Sequence, residues 1–290
     1  MKQISTPSEA RDISLLLTAS GFWFICVGMQ SVFLPWVLIS VLHASPFEFG
    51  VAQMCLMLPV LILVIYGGYL ADIYPLRGLL TRIYLLSSII ALLFAVWTYQ
   101  GTLTYPMLLA YSILFGVLSA FCAPAREAFL NVLGQRQLQK FVTLNIGVEF
   151  GIQVIGFIIG GLVSWMGISL MFVSLATFLL LSSIAAARIS TTTQSKQYSG
   201  LLTQTREAFR FSIQHPVILP VLLLNGLIGV FFLGSFFVAM PLHLSQFEGY
   251  DASLLATANI IFMIGLISSV ATLVLIGGVN NKQQTLIITC

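Results

Sequence analysis

Charge is what this sequence has least of. Asp, Glu, Lys and Arg make up 7% of its 290 residues, against about 25% in an ordinary soluble domain. Apolar residues make up 59% and mean hydropathy is +1.03, so the chain cannot clothe a globular surface in water. That argues against a water-soluble enzyme, a nucleic-acid binder and a disordered chain. Cysteine is also sparse. Cys26, Cys55 and Cys122 sit in apolar runs, Cys290 is the last residue, and no CxxC or Cys/His spacing offers a metal or redox site. No GK[ST] follows Gly67-Gly68, so there is no phosphate loop and no ATP-driven pump in the chain itself. Without a visible nucleophile–base pair, neither enzyme activity nor a cofactor is expected. A cleavable leader is not expected either. The first apolar run extends to about Val41 with no small-residue cleavage site after it, and it reads as a retained span.

What is present is a series of long apolar runs. A bilayer core of about 30 Å takes roughly 20 residues of helix, and lipid leaves helix as the way to satisfy the backbone of such runs. Spans are expected at 14–41, 47–70, 79–99, 103–123, 141–164, 167–187, 217–243 and 252–278, with a ninth beginning at Thr285. Breakers separate them, among them Ser45-Pro46, Tyr74-Pro75, Gly101, Pro124, Gly167 and His215-Pro216. All 12 basic residues fall in alternate connections. Lys2 and Arg11 lie in the N-terminal tail, Arg77 and Arg82 after the second span, and Arg126, Arg136 and Lys140 after the fourth. Arg188, Lys196, Arg206 and Arg210 follow the sixth span, and Lys282 the eighth. Basic connections stay cytoplasmic, so the N-terminus is expected on that side. Residues 189–200 are a Ser/Thr-rich linker, and 201–214 read as a short amphipathic helix. The expected division is a six-helix bundle over 1–187, a cytoplasmic linker over 188–215, and a partial second bundle over 216–290.

Two stretches carry motif-like spacing. Residues 67–82 read GGYLADIYPLRGLLTR, with small residues, Asp72 and then Arg77 between two spans. A carboxylate at a helix end can pair with nearby bases as one side of a bundle closes. Residues 156–161 read GFIIGG, small residues at a spacing that lets helix backbones approach. The first stretch resembles motif A of the major facilitator transporters through Gly68, Leu70, Ala71, Asp72 and Arg77, with departures at Ile73, Pro75 and Leu76. The second resembles motif C of their exporter branch through Gly156, Gly160 and Gly161, with Phe157 in place of proline. Residues 124–145 and the Glu207, Arg210, His215-Pro216 lead into the seventh span are similar to the branch holding macrolide-efflux proteins and the enterobactin exporter.

The resemblance implies an all-α polytopic membrane protein of the twelve-helix major facilitator fold. This chain would supply its complete N-terminal six-helix bundle and part of the C-terminal one. Residues 277–284, GGVNNKQQ, fall where the second half would repeat motif A. The resemblance further implies secondary active export of drug-like or siderophore-like molecules across the bacterial inner membrane, with Gly68, Asp72 and Arg77 at a cytoplasmic gate. Lysophospholipid flipping and a truncated, non-transporting remnant are the alternatives. Within the membrane, Glu149 is the ionisable residue that stands out, with Asn145 and Gln153 one turn to either side on the same helical face. A carboxylate in hydrocarbon costs at least a few kcal/mol unless a cavity or partner receives it. Proton uptake and release there would suit coupling to a proton gradient, whereas a place near the interface would make it structural. Gln30 and Asn225 are further cavity candidates or plain interhelical bonds. The arginine of antiporter motif B has no counterpart, since Phe115 stands near its position.

Overall fold

The computed structural model describes residues 7–133, 138–191, 215 and 218–275. The expected linker helix at 201–214, the 277–284 stretch and the segment from Thr285 lie outside the described residues.

Capping and breaker residues divide the chain into helices. The first, α1 (Pro7–Trp36), holds Pro35 near its end and widens into a π-helical stretch at Val37–Val41. Such widening is one way a helix absorbs a missing donor. Helix α2 (Pro46–Ile73) opens on a reciprocal cap. Ser45 accepts from the Glu48 amide at 3.3 Å, and Glu48 accepts from the Ser45 amide at 2.8 Å. Pro75 then starts α3 (Leu76–Tyr99), and Gly101, at φ +76°, turns the chain toward α4 (Tyr105–Leu133). After α5 (Leu138–Gly161) comes one short turn, α6 (Val163–Met166). Gly167, at φ +79°, then opens α7 (Ile168–Ala187). The seventh span begins as α8 (Ile218–Leu227), continues through π-helical stretches at Ile228–Leu233 and Ser235–Ala239, and ends as α9 (Met240–Leu244). Helix α10 (Ala252–Leu275) is the eighth.

Among the described residues, six helices are long and apolar enough to cross a membrane, and two shorter apolar helices lie at Asn145–Gly161 and Ser235–Leu244. One boundary differs from expectation. Span four does not stop at Pro124. Helix α4 runs through it to Leu133, because a membrane helix keeps a proline where neighbours serve the freed backbone. Gly67 of α2 packs against this turn, so close that an added Cβ would overlap the Ala120 carbonyl oxygen. Ala120 is the residue whose i+4 donor Pro124 removes.

Three close pairs build the bundle: α1 with α5, α2 with α4, and α3 with α7. Helix α1 runs through the middle, with Met29, Val32 and Phe33 fully buried, while α2 turns Leu61, 74% exposed, outward. Lipid tails are as apolar as leucine, so close packing and polar contacts hold such helices together rather than escape from water. The polar contacts are few and specific. Ser88 donates to the Ala176 carbonyl at 2.7 Å and Ser183 to the Thr81 carbonyl at 3.0 Å, both between α3 and α7. Helix α10 packs chiefly on α5, so the eighth span meets the first six beside the centre.

Candidate functional site

Helices α1, α2, α4 and α5 leave a cavity of about 250 Å³ in the middle of the bundle, closed on the other side by the seventh span and α10. Its walls are largely apolar, with four aromatic side chains among them. Trp23 of α1 stacks on Phe115 of α4 with ring centroids 5.2 Å apart, and Phe236 and Phe237 face them from the seventh span. Four amide side chains interrupt this surface: Gln30, Gln53, Gln153 and Asn259.

The lining holds one charged residue, Arg126. It stands three turns beyond Phe115 on the same face of α4, with Ser119 and Ala123 between them at helical spacing. The continuation of α4 past Pro124 puts it there, buried to 6% exposure, where the sequence suggested a cytoplasmic connection. Its guanidinium carbon lies 4.4 Å from the centroid of the Phe24 ring, and its Nε has no hydrogen-bond partner among the described residues. A cation over an aromatic face is attracted by the ring quadrupole, but the ring supplies no acceptor in the guanidinium plane.

The residues marked in the sequence divide among several places. Gln30 and Gln153 line the cavity, and the Gln30 Nε2 is buried without a partner. Asn145 is buried on α5. Glu149, between them on α5, is half-buried and is not among the lining residues, although it lies within electrostatic reach of Arg126 and Glu127. Asn225 falls in α8, and its side chain lies outside the described residues. Gly156 and Gly160 face α1: a Cβ added to Gly156 would overlap the Ile25 oxygen, and one on Gly160 would lie 2.7 Å from the Met29 oxygen. Gly161 faces α10, where an added Cβ would lie 2.8 Å from the Ala256 Cβ. Gly68 faces open space, and its neighbour Gly67 makes the α2–α4 approach.

Asp72 and Arg77 do not face each other. Asp72 is exposed at the end of α2, while Arg77 Nη2 donates to the carbonyl of Ala187, the last residue of α7, at 2.5 Å. Asp12, buried to 1% exposure, closes the same helix end from α1. It accepts from the amides of Ser190 and Thr191 at 3.0 and 2.8 Å and from the Thr191 hydroxyl at 2.6 Å. Sequence reasoning passed over Asp12 as part of a polar tail. It also passed over Arg126, Gln53, Ser119 and Asn259. For Arg126 a signal existed, namely the helical spacing it shares with Phe115 and Ser119. For Asn259 there was none, since one amide in an apolar run looks the same on any face.

Comparison with known proteins fits this architecture. Residues 7–267 match the family described as transmembrane secretion effector. Over 125 residues the chain is 30% identical to the staphyloferrin A transporter of Staphylococcus aureus, a match covering 42% of this chain and 30% of that protein. Its fold is similar to the crystal structure of a D-xylose–proton symporter, with a TM-score of 0.54 at 16% identity over 89% of this chain and 65% of that one. The chain thus covers less than two thirds of the length of both.

Proposed function

The chain belongs to the transmembrane secretion effector family of major facilitator transporters, and from that premise we propose that it is a secondary active exporter of siderophore-like or drug-like small molecules. The observation that carries this is the central cavity, with apolar and partly aromatic walls, amide side chains and one arginine between the first six spans and the two that follow. Such a site near the midplane is where two bundles that rock against each other hold substrate. The relative that bears the name staphyloferrin A transporter supports a siderophore-like cargo. Segregation of the basic residues other than Arg126 to alternate connections and the helix ends beside them supports a cytoplasmic N-terminus in a bacterial inner membrane. The proposed units are a bundle over 1–187, a linker over 188–215 and a partial bundle over 216–290, with Gly68, Asp72 and Arg77 at the cytoplasmic gate. Proton coupling is assigned to Glu149, which sits within reach of Arg126 beside the cavity.

Proteoliposomes carrying the chain test this directly. Staphyloferrin A or a fluorescent drug-like dye is expected to cross faster under an imposed pH gradient than in protein-free liposomes. Equal rates for both solutes, with and without protein, would overturn the transport assignment. Glu149→Gln is expected to abolish the pH dependence, and an unchanged pH profile in that variant removes Glu149 from the coupling role.

A further inference from the structure

Two residues that line the same cavity, Arg126 and Gln30, each carry a buried nitrogen, Nε and Nε2, without a hydrogen-bond partner among the described residues. Both are N–H donors. Buried donors are nearly always satisfied in native proteins, so an open pair in one cavity calls for acceptor oxygens from outside the chain. Charge points the same way. Arg126 is a permanent cation, more than nine-tenths buried, and among the described residues no carboxylate joins it in the lining, Glu149 lying within electrostatic reach but outside it. Phe24 holds the guanidinium by its ring without offering an acceptor, and Trp23, Phe115 and Phe236 line the same cavity with flat apolar faces. Guanidinium N–H groups match the paired oxygens of a carboxylate better than any neutral acceptor. At about 250 Å³ the space is near the lower end of ordinary ligand sites.

We infer that this cavity binds a small organic anion, a carboxylate on an apolar or aromatic body, with Arg126 as its counter-charge and Gln30 as its second donor. The inference rests on the transporter assignment above and names the substrate class of that same site.

Three probes that share one ring system and differ in charge decide it: 2-naphthoate, 2-naphthalenemethanol and 2-naphthylmethylammonium. Their binding to the purified chain is read by quenching of tryptophan fluorescence, since Trp23 stands in the cavity wall. Naphthoate is expected to bind about tenfold more tightly than the neutral alcohol, with the ammonium weakest, as a charge-assisted bond at a desolvated site implies. Arg126→Gln is expected to erase that preference and leave the alcohol unchanged, Arg126→Lys to keep part of it, and Gln30→Leu to weaken naphthoate a few-fold. Equal binding of all three probes by the unaltered chain overturns the inference, as does an unchanged naphthoate affinity in a folded Arg126→Gln protein. The probe series on the unaltered chain decides even where a variant fails to fold. Displacement of naphthoate by lysophosphatidylglycerol but not lysophosphatidylcholine supports an anion site whose ligand is a lipid headgroup. No displacement by either supports one whose ligand is a free solute. A chain that binds naphthoate through Arg126 yet moves nothing across proteoliposomes overturns the transport assignment alone. A chain that transports without preferring anions overturns this inference alone.

Discussion

Gly28 and Gly156 meet face to face where α1 crosses α5. A Cβ on Gly28 would overlap the Gln153 oxygen and lie 3.0 Å from the Gly156 Cα, and one on Gly156 would overlap the Ile25 oxygen. These neighbours are backbone, which cannot swing aside as the tip of a side chain can. Either alanine must therefore push two helices apart, and overpacking of this kind costs about 1–3 kcal/mol or more. Gly151, on the same helix, has nothing within 4 Å of its Cβ position. Alanine there removes a flexible residue from a helix interior, a gain of up to about 1 kcal/mol. Thermal unfolding in one detergent should place Gly28→Ala and Gly156→Ala below the unaltered chain and Gly151→Ala at or above it. Equal melting of the three would mean that α1 and α5 are not held this closely. The small-residue spacing of 156–161 was legible in the sequence, but the helix it approaches was not, because that contact joins residues over a hundred positions apart. Gly68 and Gly67 show the same limit. Adjacent glycines read alike, and packing against Ala120 and Pro124 separates their roles.

At the level of the helix, apolar run length made nearly all the spans readable, since a bilayer demands it. The end of α4 was not readable by that rule. A proline followed by an arginine and a glutamate resembles a loop, yet α4 continues through all three to Leu133. The Gly67 that packs against this turn lies on another helix, so no local pattern announces it. That hidden continuation is what carries Arg126 into the cavity. The far end of α7 has a comparable non-local device. A helix end leaves carbonyls without partners, and at Ala187 the partner is Arg77, while Asp12 holds the two amides at Ser190 and Thr191. Hydrogen bonds to charged groups contribute about 1.5–3 kcal/mol each. Arg77→Gln is therefore expected to speed amide exchange at 188–191 by about tenfold through local opening. Asp12→Ala should speed it further and lower the melting temperature, because Asp12 supplies three of the contacts. Protection at 188–191 that survives both substitutions would mean that the helix end is held by something else.

The whole molecule joins its first six spans to the eighth mainly along α5 and α10. At the end of that contact away from Arg77, Gly161 sits so close to α10 that a Cβ would lie 2.8 Å from the Ala256 Cβ. Just beyond, the Ser164 hydroxyl donates to the Asp251 carboxylate at 3.2 Å. In a transporter that exposes its site to one side at a time, a contact of this kind must break for the site to open past it. Under the proposed function its strength would therefore bear on which way the cavity faces. An exposed serine–carboxylate bond is weakened by water that competes for both groups, which suits a contact that would form and break in each turn of the proposed cycle. The prediction is that fixing it permanently traps the cavity open to one side only. Ser164→Cys with Asp251→Cys places two thiols where the side chains already touch, in a background with Cys55 and Cys290 replaced. Ser119→Cys, in the cavity wall, serves as the reporter, and a membrane-impermeant maleimide is applied from each face of oriented vesicles. With the pair reduced, the reporter thiol should label from both faces. With the pair oxidised, it should label from one face alone, the face nearer Arg77, and reductant should restore the other. Labelling from both faces in the oxidised protein would show that the Ser164–Asp251 contact does not close the cavity. In that case the tight packing of Gly161 on α10 is a fixed joint between the two groups of helices rather than a gate.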